Sequence, residues 1–402
     1  MKRAAALLLT FAMLIPLSGC LSPVSLDAYG YVISVGVDRG KEKAYYFTFA
    51  LQRALSEQNL DSEGGAILLA AEGNSVFEAV NELEDNVPYS LNFSRTNFII
   101  AGRKIAEAGE IRDLVSTSFD SLKIRTSAVI IVADCPVSDF IGGMYSNNDA
   151  NIGKLQSALM LDREKTGMVS IMSVSRLLEA CSDSRFDYST ALGNYDPDTV
   201  TDTEQKKSES EGKNPLEDVE TGDRAGGLKS FISGTALFSG WRMTGVLDRE
   251  ETMLLDMVTG EFENGVITLV YDGEGEGRGS FVSVLLSLEK CRVAVNDDLS
   301  VSAEIKLTAG IHRKDERISS AEMDEWLTER LKTILEGRMN EVFLKCREAG
   351  SDAMRFGTKL IRKFRDYGEW ERFDWRERYK SFEPEFSVTV LNADKYIEED
   401  MQ

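Results

Sequence analysis

Histidine is almost missing from this chain: His312 is the only one in 402 residues. A zinc site built from several imidazoles is therefore excluded. A Ser-His or Cys-His pair would have to use His312, which precedes Arg313-Lys314 near the end of a predicted strand with no nucleophile motif beside it. A solvated or structural role fits it better. Cysteine is sparse as well. Of five, Cys135, Cys181, Cys291 and Cys346 are widely spaced and form no CxxC pair. Their number allows two disulfides or a metal site, but four small buried apolar side chains suit the spacing better. A chain this long buries enough surface to hold itself together without staples. Positive charge is the third shortage, with 46 Lys and Arg against 67 Asp and Glu and a net charge of −21. Nucleic acid is excluded as a partner, because binding it needs basic surface to neutralise phosphates. Broad contact with anionic lipid is disfavoured for the same reason. Long apolar runs are lacking too: Ala4–Leu17 falls short of the roughly 20 residues that span a bilayer.

That short run is nonetheless informative. It follows Lys2-Arg3 and ends in Leu17-Ser18-Gly19-Cys20, and the order basic, apolar, small is the layout of a secretory signal. The last four residues look like a lipobox, Leu-[Ala/Ser]-[Gly/Ala]-Cys. On that reading the Cys20 thiol, as thiolate the strong nucleophile, takes an S-diacylglyceryl group. Cleavage after Gly19 then leaves Cys20 as the first residue, its amino group N-acylated. Two or more acyl chains hold a protein stably at a bilayer, where one alone holds it marginally. Lys2 and Arg3 favour the orientation that carries the rest of the chain to the side away from the cytoplasm.

Beyond the signal, hydrophobic residues at 43% are enough for real cores. Tyr29–Asp38, Ala44–Leu51 and Ala66–Ala71 read as strands, Ser75–Leu83 as a helix capped by Asn74 or Ser75. Phe98–Ala101 and Ser127–Ala133 are continuous apolar runs of buried strands, separated by a helix over Lys104–Phe119 that breaks or bends at Gly109. Val137–Ser182 is harder to read, apart from a helix over Met168–Ala180. From about Asp183 to Gly227 the chain turns to Asp, Glu, Ser, Thr and Gly, too polar to offset its own ordering entropy. Strands return at Ser230–Phe238 and Trp241–Leu247, with a short helix over Arg249–Val258. Val266–Tyr271, Phe281–Leu288, Cys291–Val295 and Val301–Ile311 are four further strands. A long helix opens at Ser319, where Ser319-x-x-Glu322 has capping-box spacing. It carries Met323, Leu327, Leu331, Ile334, Val342 and Cys346 on one face. A helix near Ala353–Phe364 interrupted at Gly357 and a strand over Phe386–Val390 close the chain.

The expected fold class is α+β: several domains of mixed sheets with packed helices, the C-terminal one a mostly antiparallel sheet with long helices. The expected division is a signal peptide over 1–19 and an N-terminal α+β domain over 20–133. A second small domain, or an extension of the first, covers 134–195, an acidic flexible linker 196–227, and a C-terminal α+β domain 228–402. The glycine-rich stretch Asp272–Gly279 invites comparison with a phosphate cradle. It lacks the strand-loop-helix context, and Asp272, Glu274 and Glu276 would repel phosphate, so a hairpin loop is the better reading. With 67 acidic residues, any two could be nominated as a glycosidase pair, so that signal is empty.

Taken together, the residues resemble the Ger(x)C family, the C-subunit lipoproteins of nutrient germinant receptors in endospore formers. The likeness runs from Cys20 through Ile33–Gly40, Ala71-Glu72-Gly73 with Phe77-Glu78-Ala79, and Asn97–Gly102. It continues through Gly234–Phe238, Gly245-Val-Leu247 and Glu251-Thr252 to Asp352, Phe356-Gly357, Trp370 and Trp375. Order and spacing carry it rather than any one motif. The resemblance implies a non-enzymatic, lipid-anchored subunit without a cofactor. It would lie on the outer face of the spore inner membrane beside a polytopic A subunit and a transporter-like B subunit, in an assembly that responds to nutrients. The family assigns no ligand pocket, so only Cys20, as lipidation site, is carried over. A solute-binding lipoprotein of a transporter is the alternative, and an envelope hydrolase a more distant one.

Overall fold

The structure, a computed structural model, describes residues 28–52, 66–145, 152–181, 185–198, 229–272, 279–313 and 320–392. The signal segment 1–19, Cys20, the acidic stretch from 199 to 227, the loop 273–278 and Ser319 lie outside the described residues.

The first half builds one ten-stranded mixed sheet. It begins with β1 (Tyr29–Arg39), β2 (Tyr45–Gln52), β3 (Ala66–Gly73), α1 (Val76–Glu84) and β4 (Ser90–Asn92). Next come β5 (Phe98–Gly102), α2 (Arg103–Ala108), α3 (Ile111–Leu122), β6 (Val129–Ala133), α4 (Val137–Met144) and α5 (Ile152–Thr166). The sheet is completed by β7 (Met172–Ser173), α6 (Val174–Cys181), β8 (Ser189–Tyr195), β9 (Ser230–Ser239) and β10 (Arg242–Asp248). The strand order is β10-β9-β8-β6-β5-β1-β2-β3. Its centre, β8, β6, β5 and β1, is parallel, and both flanks are antiparallel. β5 and β6 are buried along their whole length, as expected of parallel strands covered on both faces. Register sorts the faces. Val35, Ile99 and Ile130 align across β1, β5 and β6 and point to one core with α1, α2, α3 and α6. Ile100 and Ile131 align one step on and point to the other core, under α4. Gly36 is needed there, since a Cβ would stand 2.4 Å from Val137 Cγ1 and 2.6 Å from Ile141 Cδ1.

The second sheet is β11 (Asn264–Val270), β12 (Phe281–Val295), β13 (Val301–Arg313) and β14 (Glu385–Asn392), in that order. β11 to β13 form an antiparallel meander, and β14 joins parallel to β13. Around it lie α7 (Arg249–Thr259), α8 (Ser320–Glu348), α9 (Gly357–Leu360), α10 (Tyr367–Phe373) and α11 (Trp375–Tyr379). α8 lays Met323, Leu327, Leu331, Leu335, Met339, Val342 and Cys346 on Val284, Leu286, Ile305 and Leu307. The buried stripe steps through Leu335 and Met339, whereas Ile334 is only partly covered.

The architecture is α+β with two mixed sheets and a helix-covered C-terminal sheet. Several sequence expectations differ in detail; the helix expected over Met168–Ala180, for one, begins only at Val174, after the short strand Met172–Ser173. The strands expected at Phe281–Leu288 and Cys291–Val295 are one continuous strand, its register shift falling between Leu288 and Lys290. Ser189–Tyr195, which falls within the stretch Asp183–Gly227 read as too polar to order itself, is β8, with Ser189 and Thr190 buried. Thr190 Oγ1 donates to Ile130 O at 2.5 Å, which is how a polar strand sits inside a sheet. The boundary expected at 228 is crossed by hydrogen bonds: β9 and β10 pair onto β8 and complete the first sheet. β9 serves both halves, with Ala236 and Phe238 in the first core and Leu237 in the second.

Candidate functional site

The chain leaves β5 and β6 on opposite faces of the sheet. After β5 it enters α2 and α3, which pack with Ile99 and Ile130; after β6 it enters α4, which packs with Ile100 and Ile131. A crevice must open where neighbouring parallel strands send their chains to opposite sides. Here it is a cleft of about 870 Å³ at the carboxyl ends of β1, β5 and β6. Tyr46 at the start of β2 and Glu72 at the end of β3 extend its wall.

Each strand delivers a charged residue as its apolar run ends. β1 gives Asp38 and Arg39, β5 leads to Arg103 and Lys104, and β6 leads to Asp134, Cys135 and Pro136. Asp38 Oδ2 accepts the Val137 N–H at 2.7 Å and so caps α4. Gly102 makes room for it, because a Cβ there would stand 2.0 Å from Asp38 Oδ1. Burial raises the Asp38 carboxyl above its ordinary range, against the opposing pull of the Val137 N–H and the Lys104 charge. Arg39 is held by Glu110 at 2.6 Å, and Arg103 by Glu107 at 2.8 Å and Asp134 at 2.9 Å. Glu72 accepts the backbone N–H groups of Lys41, Glu42 and Lys43 at 2.8 to 2.9 Å, which holds its carboxylate below the usual range and ties the β1–β2 turn to the end of β3. The Lys41 and Lys104 ammonium groups, by contrast, have no ion pair among the described residues.

Cys20 lies outside the described residues. Cys135 is on the cleft wall, its thiol pushed up to about 12 by burial and by Asp139, Asp38 and Asp134. Cys291 donates to Val258 O at 3.1 Å, and Cys346 is buried in the second core. Cys135, Cys291 and Cys346 are free thiols, which removes a disulfide between any two of them. No group of His, Cys, Asp and Glu among the described residues could hold a metal ion, and His312 lies in β13. Sequence reasoning missed the cleft. The signal was present in three apolar runs, each broken at its end by charge: Val37-Asp38-Arg39, Ala101-Gly102-Arg103 and Ala133-Asp134. Pairing those ends requires knowing that the strands lie parallel.

Fold and site define a two-sheet α+β protein with a ligand-sized cleft on the parallel part of its larger sheet. Two family models match it, the spore germination protein N-terminal domain over residues 23–191 and the spore germination B3/GerAC-like C-terminal domain over residues 233–391. The chain belongs to this family of GerAC-like spore germination proteins. Among solved structures, the crystal structure of the GerBC protein is similar in fold. Its TM-score is 0.52 at 14% identity, over 89% of this chain and 96% of that one. No curated protein matches. The acidic stretch falls between the two matched segments.

Proposed function

We propose that the chain is a lipid-anchored, non-catalytic subunit of a nutrient germinant receptor. It works on the outer face of the spore inner membrane, beside polytopic A and B subunits, in the assembly and nutrient response of the receptor. The observation that carries this reading is the match of both germination domains, in order, over most of the chain. The lipobox Leu17–Cys20 supports the anchor. No helix among the described residues is long and apolar enough to cross a membrane. The domain arrangement proposed with it is one unit built on the ten-stranded sheet and one on the four-stranded sheet, joined through the β9–β10 hairpin.

The test is made in spores, with the gene deleted and restored either intact or as Cys20→Ala. Intact restoration returns nutrient-triggered dipicolinate release. Cys20→Ala frees the protein from the membrane fraction and abolishes that release. Full germination of the deletion strain with every nutrient, in a background without redundant receptors, overturns the receptor reading. A Cys20→Ala protein that stays on the membrane and remains active overturns the anchor.

A further inference from the structure

We propose that the cleft at the carboxyl ends of β1, β5 and β6 binds a small zwitterion of the amino-acid type, its carboxylate held by Lys104 and its ammonium by Asp38. The position is the first argument: in open sheets with parallel strands, ligands sit in this crevice because backbone ends and loops converge there without a covering helix. The volume, about 870 Å³, lies within the range of small-molecule sites.

The charge pattern selects the ligand. The walls carry both signs, and most of these charges are already spent on each other: Arg39 on Glu110, and Arg103 on Glu107 and Asp134. Glu72 is occupied by backbone N–H groups. What remains is the Lys104 ammonium and the Asp38 carboxylate, which attract each other without forming an ion pair and so leave a place for one group of each sign. Asp38 uses only Oδ2 on Val137, and its Oδ1 lies over Gly102, where no side chain comes between. A ligand with one negative charge would gain from Lys104 and lose against Asp38; a cation would do the reverse. A molecule carrying an anionic and a cationic group a few bonds apart gains from both. It also replaces the water that a half-buried carboxylate gives up, which strengthens each contact in the lower local dielectric. Gly102 and the Asp38 cap on α4 hold the carboxylate in place, so little ordering is required on binding.

The inference does not depend on the receptor reading or on the anchor. Binding is measured on the purified intact chain in detergent, whereas the receptor reading stands or falls on spores. Isothermal titration uses the neutral aliphatic amino acids from glycine to leucine, each beside the matching carboxylate and the matching amine alone. The expected result is a Kd of about 1 mM or tighter for at least one amino acid, with both half-molecules at least about tenfold weaker. Lys104→Met, which breaks no ion pair, weakens binding about tenfold. Asp38→Asn, which keeps an oxygen for the Val137 N–H, does the same while its thermal midpoint reports that the fold is intact. Heats absent for every amino acid overturn the proposal. So does equal affinity for the carboxylate alone or the amine alone, or unchanged affinity in a folded Lys104→Met protein.

Discussion

Asp187 and Arg376 stand 189 residues apart in sequence, yet a guanidinium nitrogen of Arg376 donates to Asp187 Oδ1 at 3.0 Å. The same oxygen accepts the Gly240 N–H at 2.7 Å, and Oδ2 accepts the Asp352 N–H at 3.1 Å. One carboxylate thereby joins the approach to β8, the β9–β10 turn, the loop after α8, and α11. Asp352 extends the junction: its carboxylate accepts the N–H groups of Phe356 and Gly357 and the indole N–H of Trp375 at 2.8 to 2.9 Å. The two sheets are therefore held together by a buried polar network as well as by the shared strand β9.

The two ends of the Asp187–Arg376 pair are unequal, and substitution should show it. The Asp187 side chain is 5% exposed and that of Arg376 50%. Asp187→Ala leaves the buried Asp352 N–H and the half-buried Gly240 N–H without an acceptor and should cost about 3 kcal/mol. Arg376→Met takes the counter-charge from the buried Asp187 carboxylate. It leaves both backbone N–H groups on that carboxylate and opens a half-exposed position that water can fill, so it should cost less, about 1–2 kcal/mol. Urea unfolding of both variants measures the difference, and the reverse order would contradict the account.

Gly357 faces the same junction. A Cβ there would stand 2.0 Å from Arg185 O and 2.6 Å from Trp375 Nε1. The first neighbour is backbone and the second is fixed by Asp352, so neither yields cheaply. Gly357→Ala should destabilise by about 1–3 kcal/mol, the range of overpacking, and should lower the thermal midpoint. Gly337 on α8, with nothing within 4 Å of its would-be Cβ, is the control. Gly337→Ala should be neutral or stabilising, since alanine is the better helix former by about 1 kcal/mol.

These residues also show what the sequence could and could not disclose. Strands with dense apolar runs, such as Phe98–Gly102 and Val129–Ala133, were legible because burial on both faces leaves no polar alternation. Capping chemistry was legible too: Ser75 caps α1 by accepting the Glu78 N–H. Gly109, at φ +81, separates α2 from α3 where the break was expected. Helices α4, α5, α10 and α11 were not foreseen. α4 carries Gly142 and Gly143, poor helix formers whose place is set by tertiary packing: a Cβ on Gly143 would meet Ser230 Oγ at 2.2 Å. Gly357, read as an interruption, begins a helix. The cleft was hidden for a similar reason. Its charges are strand-end residues that look like ordinary turn polarity until the parallel order β6-β5-β1 brings them together.

The thiols give a prediction that bears on the cysteine reading. Cys135 is pushed up to about 12, and burial raises Cys291 and Cys346 as well. Only the thiolate reacts with alkylating agents. At mildly alkaline pH the folded protein should label at Cys135 on the order of 10³-fold more slowly than a free thiol. Labelling should become fast in urea. Peptide mapping after iodoacetamide treatment reads this out, and rapid native labelling of Cys135 would show that its acidic, half-buried setting is misassigned.

Stability should fall as pH rises through neutrality, and the cause can be placed at named carboxyls. Asp256, in α7, is fully buried and holds its proton up to about 8; burial is the largest cause, Glu261 adds to it, and Arg163, Arg355 and Arg176 oppose it. Its Oδ2 has no hydrogen-bond partner. Asp352 is raised to about 7, again mainly by burial, against the pull of Gly357, Trp375 and Phe356. In the unfolded chain both ionise near the ordinary 3.8. Between about pH 4 and pH 8 the folded state therefore binds more protons than the unfolded one, and its stability declines as pH rises, by at most about 1.4 kcal/mol per pH unit for each group. Burial alone would raise Glu261 too, but Arg355, Arg163 and Arg176 more than reverse it. Its contribution is lost only on the acid side of the ordinary carboxylate range and leaves the window near neutrality clear. Asp256→Asn keeps the shape and removes the ionisation. Urea unfolding across this range should give a shallower decline in that variant than in the parent, with the residual slope of Asp352 ending near pH 7. Parallel curves would mean that Asp256 is ionised in the folded protein, paired with the arginines around Glu261 rather than protonated beside them.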